Sequence, residues 1–234
     1  MKKNILAITL ARGGSKSVPR KNIKILNGLP LIAYTINEAK KSKYINKYIV
    51  STDDEEIKKI SLLYGAEVPF LRPKDLATDT ASSAHALVHA VTFMENIYSI
   101  KYDYIIELMC TNPFKTVDDI DKCIEKLVDT NADSVIAVHK LEDHHPLRIK
   151  QIIDDHIVDF YLPEPLEARR QDLKPDAYIR SGSIYALKRD YLMEEKKRYG
   201  SINSRPYILS ENKAVNVDTE LDFYLAEQMI QNNF

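Results

Sequence analysis

Four cations, Arg12, Lys16, Arg20 and Lys21, crowd one short segment, Ala11-Arg12-Gly13-Gly14-Ser15-Lys16-Ser17-Val18-Pro19-Arg20-Lys21-Asn22. A polyanion relieves their mutual repulsion, and a nucleoside triphosphate is the obvious candidate. Gly13 and Gly14 let backbone N–H groups approach an anion closely. The segment follows an apolar run, Ile5-Leu6-Ala7-Ile8-Thr9-Leu10, that reads as a buried first strand. The end of such a strand is where α/β proteins bind ligands, which ranks phosphate binding above a merely solvated basic loop. The glycine and lysine order fits neither a Walker A element nor G-x-G-x-x-G.

Two further clusters carry chemistry. Arg72 and Ser83 flank the segment Arg72-Pro73-Lys74-Asp75-Leu76-Ala77-Thr78-Asp79-Thr80-Ala81-Ser82-Ser83, which runs into a helical pattern. An Arg and a Ser near a helix start can read the carbonyl and amino edge of a pyrimidine; Ser82 and Ser83 can equally be plain helix caps. Near the C-terminus, Asn216 and Asp218 alternate in Ala214-Val215-Asn216-Val217-Asp218-Thr219-Glu220-Leu221-Asp222. Read as a strand end, this puts both oxygen-bearing side chains on one face, where a hard divalent ion takes them together with phosphate oxygens. Asp218 or Thr219 as the cap of the helix that follows is the alternative. His144-His145 has no third ligand at zinc spacing, and no local nucleophile signature supports hydrolase chemistry.

The first segment resembles the signature loop of the CMP-sialic acid synthetases, the acylneuraminate cytidylyltransferases. Their motif A-R-G-G-S-K-x-x-P-x-K-N matches at every fixed position from Ala11 to Asn22. The Arg72–Ser83 segment resembles their R-P-x-x-L-A-x-D-x-x-x-S, and 216–222 their D-[IV]-D-[ST]-x-x-D, with Asn216 in place of the first aspartate. The resemblance implies an α/β fold: a Rossmann-like, mostly parallel sheet with flanking helices. It implies transfer of CMP from CTP to the anomeric hydroxyl of an acidic nine-carbon sugar, with loss of pyrophosphate. In that reading Ala11, Arg12, Gly13, Gly14, Ser15, Lys16, Lys21 and Asn22 hold the phosphates, and Arg72 and Ser83 read cytosine. Arg12, Lys16, Lys21 and Asp218 carry the catalysis. Mg²⁺ sits on Asp218, with Asn216 as the second position, and lowers the pKa of the attacking hydroxyl. The neutral amide at 216 favours one metal over two.

The acceptor side departs from the family. The family's L-L-Q-P-T-S-P-L becomes Leu108-Met109-Cys110-Thr111-Asn112-Pro113-Phe114 after Glu107, so Met109 replaces its sugar-touching Gln. Its N-G-A-I-Y becomes Ser181-Gly182-Ser183-Ile184-Tyr185. His145-Pro146-Leu147-Arg148 resembles its H-P-x-K, and Arg169-Arg170-Gln171-Asp172-Leu173 its R-R-Q-D-L. Met109, Arg148, Arg170, Gln171 and Ser181 are therefore the expected sugar-binding residues, and an Arg can grip a sugar carboxylate bidentately. A legionaminic- or pseudaminic-type acid fits at least as well as N-acetylneuraminate. Two alternatives are the same chemistry on the eight-carbon acid Kdo, and a non-catalytic nucleotide-binding regulator on the same fold.

The elements that must position these residues alternate. Strands are expected at Asn4–Leu10, Tyr48–Ser51, Glu67–Leu71, Tyr104–Leu108, Ser134–Val138 and Ser183–Leu187. Helices are expected at Pro30–Lys41, Glu55–Tyr64, Ala84–Tyr98, Val117–Val128 and Glu220–Gln231. Between His139 and Tyr178 the pattern breaks into two β-rich pieces, Arg148–Ile153 and His156–Tyr161, around a turn at Asp154-Asp155. Loops beyond about 12–15 residues usually carry structure or function of their own. The expected division is a core of 1–138 and 179–234 with a protruding insertion at 139–178. In the resembled family the matching region builds a homodimer and lends residues to the partner's sugar site; a homodimer, or a tetramer, is therefore expected.

The chain has 234 residues, net charge −1 and 44% hydrophobic content. That balance gives no reason to expect a nucleic-acid or anionic-membrane partner. The apolar run after Met1-Lys2-Lys3-Asn4 is too short for a secretory signal, and none reaches the roughly 18 residues of a membrane helix. Two cysteines, Cys110 and Cys123, without metal-ligand company suit a reducing, cytoplasmic setting.

Overall fold

The computed structural model describes residues 3–141 and 143–232; Met1, Lys2, Glu142, Asn233 and Phe234, and with them the outer limits of the expected core, lie outside the described residues. The apolar run forms β1 (Ile5–Leu10). A small hairpin of β2 (Ile25–Leu26) and β3 (Leu29–Pro30) leads into α1 (Leu31–Ala39). β4 (Lys47–Ser51), α2 (Glu55–Leu63), α3 (Ser83–Tyr98), β5 (Tyr104–Leu108), α4 (Val117–Asp129) and β6 (Ser134–Lys140) follow. Beyond them come β7 (Lys150–Ile153), β8 (His156–Asp159), β9 (Tyr178–Lys188), α5 (Arg189–Glu195), β10 (Ser204–Ile208) and α6 (Glu220–Gln231).

The central sheet has the order β10-β6-β9-β5-β1-β4. β1 pairs in parallel with β4 and β5, and β10 with β6. β9 runs antiparallel to both β5 and β6. The sheet is therefore mixed and mostly parallel, with helices on both faces. That double burial explains why β1 is a continuous apolar run rather than an alternating one. Ile5 and Ala7 pack with Ile32 and Ile36 of α1 and Ile120 and Ile124 of α4. Leu6 and Ile8 face the other way, onto Leu87 and Val91 of α3 and Leu192 of α5. Each fully buried Leu or Ile contributes about 2 kcal/mol relative to leaving it in water.

The helix ends follow from their caps. The Asp54 carboxylate accepts from the Glu56 and Ile57 N–H groups at the start of α2. Thr116 with Asp119, and Thr219 with Asp222, form reciprocal capping boxes for α4 and α6. The cap of α6 is thus Thr219, and the Asp218 carboxylate stays free for other contacts.

Two expected strands are corrected. Glu67–Leu71 meets β4 only through single bridges, Ile49 to Glu67 and Thr52 to Leu71; Pro69 and Pro73 break the run around them. Residues 214–218 form an extended strap outside any sheet. Their alternation survives nonetheless, because Val217 is anchored in a third apolar cluster with Leu26, Leu31 and Phe223.

The chain leaves the sheet after Lys140 and rejoins it at Tyr178, and these two residues pair. Within this excursion β7 and β8 form an antiparallel hairpin whose turn residues, Asp154 and Asp155, both have positive φ, 48° and 62°. That is the conformation a two-residue hairpin turn demands. Both strands are shorter than expected: Arg148 belongs to a single helical turn, Pro146–Arg148, and β8 ends at Asp159. Ile152 and Ile157 sit directly opposite each other, each 76% exposed. No helix among the described residues is long and apolar enough to cross a membrane.

Candidate active site

The basic loop leaves β1 and is fastened at both ends. The Ala11 N–H donates to the Ser51 carbonyl at the end of β4, 3.0 Å. Asn22 is buried; its Nδ2 donates to the Arg12 carbonyl at 2.9 Å, and its Oδ1 accepts from the Cys110 thiol at 3.1 Å. The Gly13 N–H donates to the Asp53 carboxylate at 3.0 Å. A Cβ at Gly13 would lie 2.6 Å from Asp54 Oδ2, so the backbone passes where no side chain fits. The loop's cations have separate partners. Arg20 turns to Asp54 and Glu56. Lys21 reaches the Asp218 carboxylate at 2.8 Å. Arg12 and Lys16 both contact Asp79, at 2.7 and 2.5 Å.

The loop forms one side of a cleft of about 530 Å³. Into it come Arg12, Ser15, Lys16, Lys21 and Asn22 from the loop, and Arg72 and Ser83 from the segment entering α3. Met109 and Glu107 arrive from the end of β5, and Asn216 and Asp218 from the strap. Ser82, not Ser83, caps α3: its hydroxyl accepts from the Ala84 N–H at 3.2 Å. Arg72 is buried, and its Nε and Nη2 have no partner among the described residues. Burial pulls its pKa down, with Asp53 opposing and Arg12 adding to the shift. An unsatisfied guanidinium in a cleft wall is costly unless a ligand accepts from it.

The strap presents oxygens. The Val217 N–H donates to the Thr111 carbonyl at 2.7 Å, which docks the strap against the turn after β5. Asn216 Nδ2 donates to the Asp218 carboxylate. Asn216 Oδ1 is buried and has no partner among the described residues. One carboxylate and one orphaned amide oxygen suit a hard cation that takes its remaining ligands from phosphates. Among the described residues no cluster of three or more His, Cys, Asp or Glu could hold a metal by itself.

Three buried groups around the cleft escape a reading by motif. Lys115 is 1% exposed, and its ammonium donates to Thr35 Oγ1, the Met109 carbonyl and the Asn112 carbonyl at 2.7, 2.7 and 2.6 Å. Burial pushes its pKa down to about 7. Asn112 in turn donates to the Lys213 and Val215 carbonyls, at 2.8 and 3.0 Å, tying the same turn to the strap. Glu107, on the cleft wall, pairs with Arg198 at 2.8 Å; burial raises the carboxyl's pKa and Arg198 opposes the rise. The Arg198 guanidinium lies over the Tyr185 ring. A charged residue inside an otherwise apolar strand end, as at Glu107, is the one sequence signal that could have flagged this pair.

Not every expected residue enters the cleft. Ser181 is buried, and its hydroxyl donates to the Ala137 carbonyl at 3.0 Å, toward β6. Arg148 donates to the Ala168 carbonyl at 3.0 Å and pairs with Glu164. Arg170 pairs with Asp143 at 2.9 Å, and Gln171 is exposed in the short turn Arg170–Asp172. All three lie in the 141–177 excursion. His145 is occupied locally, Nε2 against the Pro175 carbonyl and Nδ1 accepting from the Leu147 N–H.

The chain is similar to known proteins along nearly its whole length. The model of the cytidylyltransferase family matches residues 6–232. A pseudaminic acid cytidylyltransferase of Campylobacter jejuni is 32% identical over 97% of this chain and 97% of its own length. A CMP-N,N′-diacetyllegionaminic acid synthase of Legionella pneumophila is also 32% identical, over 98% of this chain and 97% of its own. Among solved structures, a CMP:2-keto-3-deoxy-manno-octonic acid synthetase complexed with CTP superposes with a TM-score of 0.73. It covers 99% of this chain and 100% of its own at 18% identity, a likeness of fold.

Proposed function

The chain belongs to the cytidylyltransferase family that includes the CMP-nonulosonate synthetases, and from that premise we propose that it transfers CMP from CTP to the anomeric hydroxyl of a nonulosonic acid. The hydroxyl oxygen attacks the α-phosphorus in line, the bond to the β-phosphate oxygen breaks, and pyrophosphate leaves. Such transfers depend on positioning and charge stabilisation more than on covalent help from the protein. The supporting observation is a single cleft into which the basic loop, the Arg72–Ser83 segment, the end of β5 and the 216–218 strap all converge.

Arg12 and Lys16 hold the outer phosphates, and Lys21 sits between the phosphates and Asp218. Arg72, with its unpaired guanidinium nitrogens, and Ser83 read the cytosine edge. Asp218 and the orphaned Asn216 oxygen hold Mg²⁺, which when bound neutralises phosphate charge and acidifies the attacking hydroxyl. Met109 and Glu107 form the acceptor end. The acceptor is a nonulosonic acid, since relatives named for pseudaminic and for legionaminic acid stand equally near.

The insertion expected at 139–178, which lies outside the sheet over 141–177, is a dimerisation segment whose exposed apolar residues pack on a second copy. Arg148, Arg170 and Gln171 then approach the partner's acceptor site. Two buried, unpaired thiols suit the reducing cytoplasm as the place of reaction.

The test is pyrophosphate release from CTP with Mg²⁺ and a panel of sialic, legionaminic and pseudaminic acids and Kdo. We expect turnover with at least one nine-carbon acid and preference for CTP over UTP. Equal use of UTP would remove the cytosine reading. CTP binding without any turnover on the panel would leave a nucleotide-binding regulator.

A further inference from the structure

Three carboxylates line the cleft. Glu107 is paired with Arg198, and Asp218 is assigned above to the cation. The third, Asp79, has the wrong sign for a site that receives a polyanion. Asp79 contacts Arg12 Nη1 at 2.7 Å and Lys16 Nζ at 2.5 Å. The other two cations of the loop are engaged elsewhere, Arg20 by Asp54 and Glu56 and Lys21 by Asp218. Folding does not call for Asp79 at this place. It is an exposed residue beyond the single turn Lys74–Leu76, and the helix that follows is capped by Ser82. Its carboxyl is held below the usual range by Lys16 and then Arg12, so it is ionised at neutral pH.

We propose that Asp79 is an internal counter-ion that occupies the place of the outer phosphates, so that any ligand reaching both Arg12 and Lys16 must displace it. The proposal rests on the cytidylyltransferase reading above. Two cations facing one another without an anion repel, and Asp79 relieves that repulsion when no phosphate is bound. Exposed ion pairs are weak and salt-sensitive, so one carboxylate yields to a triphosphate bearing several charges. A monophosphate has no outer phosphates and leaves Asp79 where it is. Asp79 therefore weakens the binding of CTP and pyrophosphate but not of CMP, and it recloses on the two cations as pyrophosphate departs. It sets the affinity ratio between triphosphate and monophosphate and favours release of the leaving group.

Calorimetric titration of the full chain with CTP, inorganic pyrophosphate and CMP, without acceptor, tests this. The proteins compared are wild type, Asp79→Asn and Asp75→Asn; Asp75 is an exposed carboxylate of the same segment. Asp79→Asn should bind CTP and pyrophosphate about threefold to tenfold more tightly, with CMP within about twofold of wild type. Asp75→Asn should match wild type throughout. Product inhibition by pyrophosphate should strengthen in Asp79→Asn, and the gain should shrink as salt is raised. Unchanged or weaker CTP and pyrophosphate binding in Asp79→Asn overturns the proposal. So does an equal gain in Asp75→Asn, which would make the effect one of net charge, or an equal gain for CMP. A wild-type protein that binds no CTP overturns the function itself and this inference with it.

Discussion

The cleft and the excursion between Lys140 and Tyr178 are built on opposite terms. In the cleft, side chains from distant parts of the chain are fixed by buried contacts: Asn22 to Arg12 and Cys110, Lys115 to Met109 and Asn112, Val217 to Thr111. In the excursion many of the ties are local and exposed: Arg169 to Asp172, Lys150 to Asp159 and Glu164, Lys174 to Asp176. Apart from the buried Leu173, most of its large apolar residues face outward, with Tyr161 85% and Leu166 96% exposed. The residues proposed to hold the nucleotide line one cleft within a single chain. The other region carries apolar surface that a single chain leaves in water, surface the proposed dimer would cover.

The contrast can be broken at its strongest point first. Asp218→Ala should remove the carboxylate that Lys21 contacts and that is proposed to hold the cation, and lower turnover on the order of a thousandfold, read as pyrophosphate release across a Mg²⁺ series. A rate unaffected by either the substitution or Mg²⁺ would empty the strap of its metal role. Lys16→Ala comes next, at about 3 kcal/mol of barrier, or roughly a hundredfold in rate. Its side chain is exposed and carries no packing, so circular dichroism and melting should match wild type; near-normal turnover would exclude Lys16 from catalysis.

The third experiment moves to the excursion. Light scattering of wild type at micromolar concentration should give twice the chain mass or a multiple of it. The paired substitutions Ile152→Asp and Ile157→Asp, on facing positions of the hairpin, should weaken that assembly by more than about tenfold. CTP binding should be retained while acceptor turnover falls. A fully active monomer would mean that one chain completes the acceptor side as well.

Two smaller effects sharpen the picture of the cleft. Asn216→Asp should stay within a few-fold of wild type, with activity lowered at low Mg²⁺ and recovered at high Mg²⁺, because added negative charge needs the cation more. Lys115→Met should act on stability rather than rate. The Lys115 pKa is lowered from 10.5 to about 7 in the folded protein. Between those values the unfolded chain binds more protons, so wild-type stability rises with pH across that window and is lowest below it. Urea denaturation at pH 7 and pH 9 should show this rise in wild type and a flatter response in the variant. Identical slopes would mean that the three oxygens around the ammonium keep it charged throughout.

The parts of the site that are contiguous were legible in the sequence. The loop from Ala11 to Asn22 carries its glycines and cations in one run, and the strand before it is apolar throughout because both its faces are buried. The elements that failed are those decided by partners far along the chain. Glu67–Leu71 has strand composition but finds β4 only at single points. Residues 214–218 alternate like a strand because Val217 has an apolar cluster to enter, not because a neighbour pairs with them. β10 and α5 carry too weak a period to stand out, and β10 exists because β6 offers it a parallel edge. The engagement of Arg12 and Lys16 by Asp79, and of Lys115 by backbone carbonyls, depends on contacts between segments that no local pattern records. The acceptor residues divide for the same reason: Met109 follows a strand end and lands in the cleft, whereas Ser181 lies where β9 shifts register against β6 and turns inward.

That register shift has a consequence for anyone wishing to rebuild the molecule. It falls at Gly182, whose φ is +61°, and a methyl group there would lie 3.3 Å from Asn216 Oδ1. β9 thus begins at the foot of the excursion, bends beside Asn216 of the 214–218 strap and continues through the middle of the sheet beside β5. The excursion is not a detachable module. An arm transplanted from a relative to change the acceptor or the assembly brings its own bend, and with it a new seat for Asn216. The graft boundary that keeps the seat of Asn216 lies upstream of Ser181, leaving the glycine and everything after it native.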